Sequence, residues 1–81
     1  MKLNVKLFAM LQEQLGNVVT VDVPEKPTAD QIKQAVSVSS PNLQQLIGTS
    51  RLAVNQEFTS SGSLDVSPTD EVALIPPVSG G

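Results

Sequence analysis

The sequence has no cysteine, histidine, tryptophan or tyrosine, and only two phenylalanines among 81 residues. Each absence removes a class of chemistry. Without cysteine there is no disulfide, thiolate nucleophile or thiolate metal ligand. Without histidine, imidazole ligation is gone, together with the side chain best matched to proton transfer near neutral pH. Cations are sparse too: five Lys and Arg against eight Asp and Glu give a net charge of −3. A nucleic-acid binder carries a basic face that displaces counterions from phosphates, so this balance argues against that class. No apolar run approaches the roughly 18 residues that a membrane span needs. The longest N-terminal apolar stretch, Leu7 to Leu11, is too short for a signal-peptide core, and a cytoplasmic location is expected.

What is present fits one small domain, since 40% apolar content over this length supports one core and not two. Carboxylates, Lys and Ser remain as potential catalytic groups, but no pair of them has a recognisable spacing. A binding or carrier module is therefore expected, not an independent enzyme.

Leu3, Val5 and Leu7 alternate with Lys2, Asn4 and Lys6, which predicts a strand with one buried face. Val19, Val21 and Val23 predict a second strand, stopped by Pro24. Between them Ala9 to Leu15 reads as a short helix with Gly16 at its C′ position. Thr28 and Gln31 form a capping box for a helix whose stripe is Ile32, Ala35 and Val36, with Asp30 near the positive end of the dipole. The Ser-rich, β-branched run from Val36 to Ser40 predicts an end or fraying there. Ser40-Pro41 predicts a new cap with Pro at N1, and Gly48 the stop of a helix carrying Leu43, Leu46 and Ile47.

Short strands are expected at Leu52 to Val54, around Phe58 and from Glu71 to Ile75, with an Asn55-Gln56 turn and a bridge at Leu64 to Val66. Ser67-Pro68-Thr69-Asp70 reads as the turn into the last strand. The order is an α+β arrangement with helices on one face of a mixed sheet of about five strands. It fits the β-grasp of ubiquitin-like proteins. The globular domain is expected over 1–75, with a C-terminal tail over 76–81.

That tail is the informative part. Pro76 and Pro77 have no N–H to donate, so they end the ladder. From Pro76 onward six residues reach at most about 20 Å. Gly80 and Gly81 lack Cβ atoms, so they fit a narrow channel and adopt backbone angles closed to other residues. Taken as ending at Gly81, the chain offers its α-carboxylate as the reactive group. A terminal Gly pair alone is equally a frayed end. The strand, the two prolines and the double Gly together weigh against that.

Asp70-Glu-Val-Ala-Leu-Ile-Pro-Pro-Val-Ser-Gly-Gly81, with Leu52-Ala-Val-Asn-Gln56 and Leu7-Phe-Ala9 in weaker support, resembles the small, sulfur-carrying subunits of molybdopterin synthases, and the likeness covers residues 1–81. Leu74-Ile75, where relatives often carry aromatics, and the Ser-rich middle helix depart from that pattern. The resemblance implies that an adenylating enzyme uses ATP and Mg to activate the Gly81 carboxylate, and that a sulfur donor such as a cysteine desulfurase or rhodanese-like protein makes the thiocarboxylate. It implies further that Pro76, Pro77, Val78, Ser79, Gly80 and Gly81 enter the large subunit of a two-plus-two heterotetramer. There sulfur passes to cyclic pyranopterin monophosphate to give molybdopterin. No catalytic residue, metal or bound cofactor is then required of this chain, and its lack of cysteine is compatible with sulfur held as a terminal thiocarboxylate.

Partner binding is expected on the sheet face away from the helices. With Val72 and Leu74 inward, Ala73 and Ile75 point outward. Phe8, out of phase with Leu7, and Phe58 are expected to join them, although a core position is as good a reading for either aromatic alone. Lys2, Lys6, Lys26, Lys33 and Arg51 are assigned to solubility. Three alternatives stand beside the resemblance: a sulfur carrier for thiazole or another cofactor, a ubiquitin-like modifier conjugated through Gly81, and an interaction domain with an inert tail.

Overall fold

The computed structural model describes residues 1–77; the expected tail residues Val78, Ser79, Gly80 and Gly81 lie outside the described residues. In chain order the elements are β1 (Lys2–Leu7), α1 (Ala9–Leu15), β2 (Val18–Asp22), α2 (Ala29–Val38), a 3₁₀ turn (Pro41–Leu43), α3 (Gln44–Thr49), β3 (Arg51–Val54), β4 (Glu57–Phe58) and β5 (Val72–Ile75). The sheet order is β2-β1-β5-β3-β4. β5 lies parallel to β1 (Val5 opposite Val72, Leu7 opposite Leu74) and antiparallel to β3 (Leu52 opposite Leu74). The expected α+β, ubiquitin-like mixed sheet is what the chain forms.

The alternation in β1 is complete: Leu3, Val5 and Leu7 are buried and Lys2, Asn4 and Lys6 exposed. The same phase brings Val21, Leu52, Val72 and Leu74 onto the inner face, where Leu11, Ile32, Val36 and Ile47 from the helices close over them. A one-residue slip of any strand would turn this set to solvent, so burial fixes the register. α2 begins at the expected capping box: Gln31 N–H donates to Thr28 Oγ1 at 3.1 Å, and Thr28 N–H to Gln31 Oε1 at 2.9 Å.

α2 ends at Val38, inside the expected Val36 to Ser40 run, where Ser37 and Ser39 hydroxyls donate to the carbonyls of Lys33 and Val36. Several other boundaries differ from the sequence expectation. Ser40 precedes Pro41 as expected but is buried and makes no side-chain cap. Gly48 does not stop α3. The helix runs on to Thr49, and its end is made by Thr49 and Ser50 hydroxyls, both donating to Leu46 C=O, with Ser50 extended. β2 starts one residue early and stops at Asp22, while Val23 still exchanges backbone hydrogen bonds with Met1. The bridge falls at Ser63, opposite Thr28, and not at Leu64 to Val66. Pro76, expected as the first tail residue, is buried, so the packed body extends one residue beyond Ile75. Among the described residues no helix is long and apolar enough to cross a membrane.

Leu74 is fully buried between two strands, and Val5 is 0% exposed opposite Val72. Leu74→Ala is expected to destabilise by about 2–4 kcal/mol and Val5→Ala by about 1–3 kcal/mol, through lost transfer energy plus the cavity left behind. Chemical denaturation checks this; curves superimposable on the parent's for both would contradict the inward assignment.

Candidate functional site

The outer face of the sheet is built by the residues that alternation excludes from the core. Register places Val18, Lys6, Ala73, Ala53 and Phe58 in one row across all five strands. Ile75 stands opposite Arg51 in the next row. Phe8 keeps extended backbone (φ −131°, ψ 159°), and continuing the β1–β5 register sets it beside Ile75. Phe8, Phe58 and Ile75 are 43%, 52% and 36% exposed, so both aromatics belong to the surface and not to the core. Val18 and Met10 are exposed as well. Isolated apolar side chains are ordinary on a surface; here Phe8, Phe58, Ile75 and Val18 share one sheet face, which is the candidate site.

Ala73 corrects the expectation of an exposed contact. It lies in the outward phase but is only 6% exposed, as is its cross-strand neighbour Ala53 at 4%. Both methyl groups are short, and longer side chains surround them. The pair forms a flat floor between Phe58 on one side and Lys6 on the other.

Arg51 is more than a solubilising charge. Its guanidinium carbon sits 3.6 Å from the Phe58 ring centroid, so the cation covers one face of the ring. At an exposed site such a pair is worth about 0.5–1 kcal/mol, enough to bias an otherwise free ring. Lys2 and Lys6 pair at 3.6 Å with Asp22 and Glu71. Both are solvent-exposed contacts of small energetic weight.

A second cluster fixes where β5 begins. Asn55 and Gln56 both have positive φ (51° and 71°) in the turn joining β3 to β4, a backbone that suits Asn better than Gln. From this turn Asn55 N–H donates to Glu71 C=O at 2.7 Å, and Asn55 Oδ1 accepts from Glu71 N–H at 3.0 Å. Asn55 Nδ2 also donates to Asp70 Oδ1, whose second oxygen accepts from Ser67 N–H at 2.8 Å. Glu71 is thereby held by Asn55, and β5 starts at Val72 instead of Glu71 as expected. The Ser67 backbone N–H, then the Asn55 amide, hold the Asp70 carboxyl below its ordinary pKa. Nothing in composition or alternation pointed to this clasp; the local signals were the two turns, Asn55-Gln56 and Ser67 to Asp70, and neither showed that they would meet. Among the described residues no three Asp or Glu side chains converge on a possible metal site.

Comparison with known proteins agrees with this architecture. The model of the ThiS family matches residues 5–81. The molybdopterin synthase sulfur carrier subunit of Dictyostelium discoideum is 35% identical over 78 residues, covering 93% of this chain and 91% of that protein. The crystal structure of small archaeal modifier protein 1 from Haloferax volcanii superposes with a TM-score of 0.76 at 30% identity, over 95% of this chain and 98% of that one. A complex of subunits 1 and 2 of the Helicobacter pylori molybdopterin-converting factor contains a chain with TM-score 0.67 and 20% identity, covering all of both chains, which shows the shared fold.

The Asp70 clasp carries a pH dependence. A carboxyl whose pKa is depressed on folding adds stability that is present above its unfolded value, 3.8, and lost as pH falls through the folded value. Thermal midpoints should therefore fall more steeply below about pH 4 for the parent than for Asp70→Asn, which lacks the titrating group. Parallel midpoint–pH curves for the two proteins would show that Asp70 carries no such linkage.

Proposed function

The chain belongs to the ThiS family, and from that membership and the geometry of its last strand we propose that it is a sulfur carrier serving molybdopterin synthase. The observation that carries the reading is the 35% identity, over nearly the whole of both chains, to a molybdopterin synthase sulfur carrier subunit. The packed body supports it: β5 is the central strand, and the chain leaves it at Pro76 and Pro77 beside the apolar face of Phe8, Ile75 and Phe58. A partner seated on that face receives the tail.

In the proposed cycle the Gly81 carboxylate attacks the α-phosphate of ATP in an adenylating enzyme, releasing pyrophosphate and forming an acyl-adenylate. Carboxylate is a poor acyl donor; the adenylate turns the departing oxygen into AMP, a leaving group that a Mg-bearing enzyme site stabilises. A persulfide sulfur on a cysteine desulfurase or rhodanese-like donor attacks the acyl carbon and displaces AMP. A C–S bond forms as the C–O bond breaks, and an acyl disulfide joins carrier to donor. A thiol then attacks the donor-side sulfur of that acyl disulfide: the S–S bond breaks, the donor is left as a disulfide with that thiol, and the carrier departs as the thiocarboxylate. In the large subunit the thiocarboxylate sulfur bonds to cyclic pyranopterin monophosphate, and water then cleaves the acyl C–S bond, leaving the sulfur on the pterin and restoring the carrier as a carboxylate. This chain supplies the reacting terminus and the docking face, and its partners supply the catalysis.

A second reading, a modifier joined through Gly81 to lysine amines, is favoured by the similarity to the archaeal modifier protein. Both readings pass through the adenylate and part at the acceptor. Intact-mass analysis from the native host separates them, since a thiocarboxylate replaces one oxygen by sulfur on the free protein, whereas conjugation yields isopeptide-linked adducts.

Two outcomes are expected with purified partners. Ile75→Asp should weaken binding to the large subunit and the adenylating enzyme while the thermal midpoint moves little, because a charge costs several kcal/mol in an interface and little on open sheet. A collapsed midpoint with unimpaired binding by the folded fraction would place Ile75 in the core. Adding one residue after Gly81, or deleting Gly81, should abolish thiocarboxylate formation and molybdopterin synthesis with stability unchanged. One residue moves the acyl carbon by about 3.5 Å, and a displacement of about 1 Å already costs on the order of 100-fold. Normal thiolation of the untrimmed extended protein would remove Gly81 from the role.

A further inference from the structure

β2 is an edge strand whose free side is unguarded. Among the described residues the opposite edge, β4, is only two residues long, whereas β2 runs for five. Natural edges are blunted by Lys, Pro, bulges or brevity. Val18-Val-Thr-Val-Asp22 contains neither Lys nor Pro and pairs with β1 residue for residue, without a bulge. Its one charge, Asp22, is already paired with Lys2 at 3.6 Å.

The hydrogen bonds define which backbone groups the edge presents. Val23 both donates to and accepts from Met1, and Asn17 C=O accepts from Leu7 N–H. In an antiparallel ladder these groups alternate, so the odd residues of β2 face β1. The N–H and C=O groups of Val18, Thr20 and Asp22 therefore point away from the sheet, and all three residues are exposed. They are spaced symmetrically about Thr20.

We propose that the β2 edge is a self-association site, in which a second copy of this chain adds its own β2 antiparallel about a two-fold axis at Thr20. In that register Thr20 faces Thr20 of the second copy, and Val18 faces Asp22 in both directions. Each of the three pairs exchanges two backbone hydrogen bonds, which engages every outward group of the strand. Val19 falls opposite Val21 on the inner side, a β-branched pair of the kind that stabilises sheets. Gly16 and Pro24 bound the paired segment symmetrically at its two ends. The single acidic residue never faces its own copy, so the chain's net charge of −3 places no like charges in direct opposition.

The geometry keeps the helices of both copies on the same side of one ten-stranded sheet. β1 lies between each β2 and its β5, so both last strands stay clear of the junction and run in opposite directions. The association is independent of the sulfur-carrier reading.

Sedimentation equilibrium over a concentration series reaching the millimolar range tests the proposal, with three variants at the exposed Thr20. The parent protein and Thr20→Val are expected to show reversible monomer–dimer behaviour. Thr20→Lys and Thr20→Glu, which set like charges directly opposite each other, should each weaken dimerisation by about tenfold or more at unchanged thermal midpoint. Thr20→Lys reduces the overall negative charge, so a general charge effect would tighten association instead. An equimolar mixture of the two charged variants should regain the dimer, because Lys then faces Glu. A strictly monomeric parent, undiminished dimerisation of either charged variant, or a mixture that stays monomeric would each overturn the two-fold at Thr20.

Discussion

Everything distinctive in this molecule depends on the placement of β5 between β1 and β3. A four-residue strand is short, and it holds its position because both flanks are hydrogen-bonded and its inward residues, Val72 and Leu74, are among the least exposed in the chain. That double constraint fixes the phase, and the phase decides the rest. Ala73 and Ile75 must face outward, and the chain must leave the sheet at Pro76 in one direction. The Asn55–Asp70 clasp sets the start of the same strand, so its exit point is determined from both ends.

The outer face is shaped by the same phase. A large residue at position 73 would give a ridge down the middle of the sheet. With Ala53 beside Ala73, the centre is instead a shallow floor edged by Phe58, Ile75 and Lys6. Arg51 covers one face of the Phe58 ring. Leaving these apolar groups in water gives up burial worth roughly 25 cal/mol per Å². The Arg51 contact offsets part of that cost at Phe58; under the proposed function, burial against a partner recovers the rest.

Most of the fold was legible because its signals are local. Period-two alternation in β1, the Thr28–Gln31 capping box, Gly16 after α1 and the Pro76-Pro77 stop each act within a few residues, and each lies where the pattern placed it. The end of α2 was legible in the Ser-rich run from Val36 to Ser40, whereas the end of α3 was not. Thr49 and Ser50 hydroxyls that bond back to Leu46 C=O end α3, and sequence does not distinguish that use from a stop at Gly48. On the outer face, phase identified Ile75, Phe8 and Phe58 as outward. It did not reveal that a residue as short as Ala73 is covered by its neighbours, nor that Arg51 would lie over Phe58. The first depends on which strands sit side by side, since β1 and β5 join residues more than sixty positions apart; the second depends on the side-chain geometry of the β3–β4 hairpin, which alternation does not specify.

Under the proposed function, the two regions of the molecule have opposite requirements, and the boundary between them is sharp. The adenylating enzyme and the synthase large subunit both need the same terminus, so they must engage the carrier in turn, on the face from which the tail emerges. A deep, shape-specific pocket would commit that face to one partner. A flat floor of two alanines with three apolar side chains around it fits different apolar surfaces and allows release after each transfer. Release also requires that no partner remodel the strand, because each cycle must return the same exit point. Burial of Leu74 and Val72, the clasp at Asn55 and the buried ring of Pro76 hold that point still. The functional demand is thus for rigidity as far as Pro76 and tolerance on the outer face, and the alternation of β5 provides both from adjacent residues.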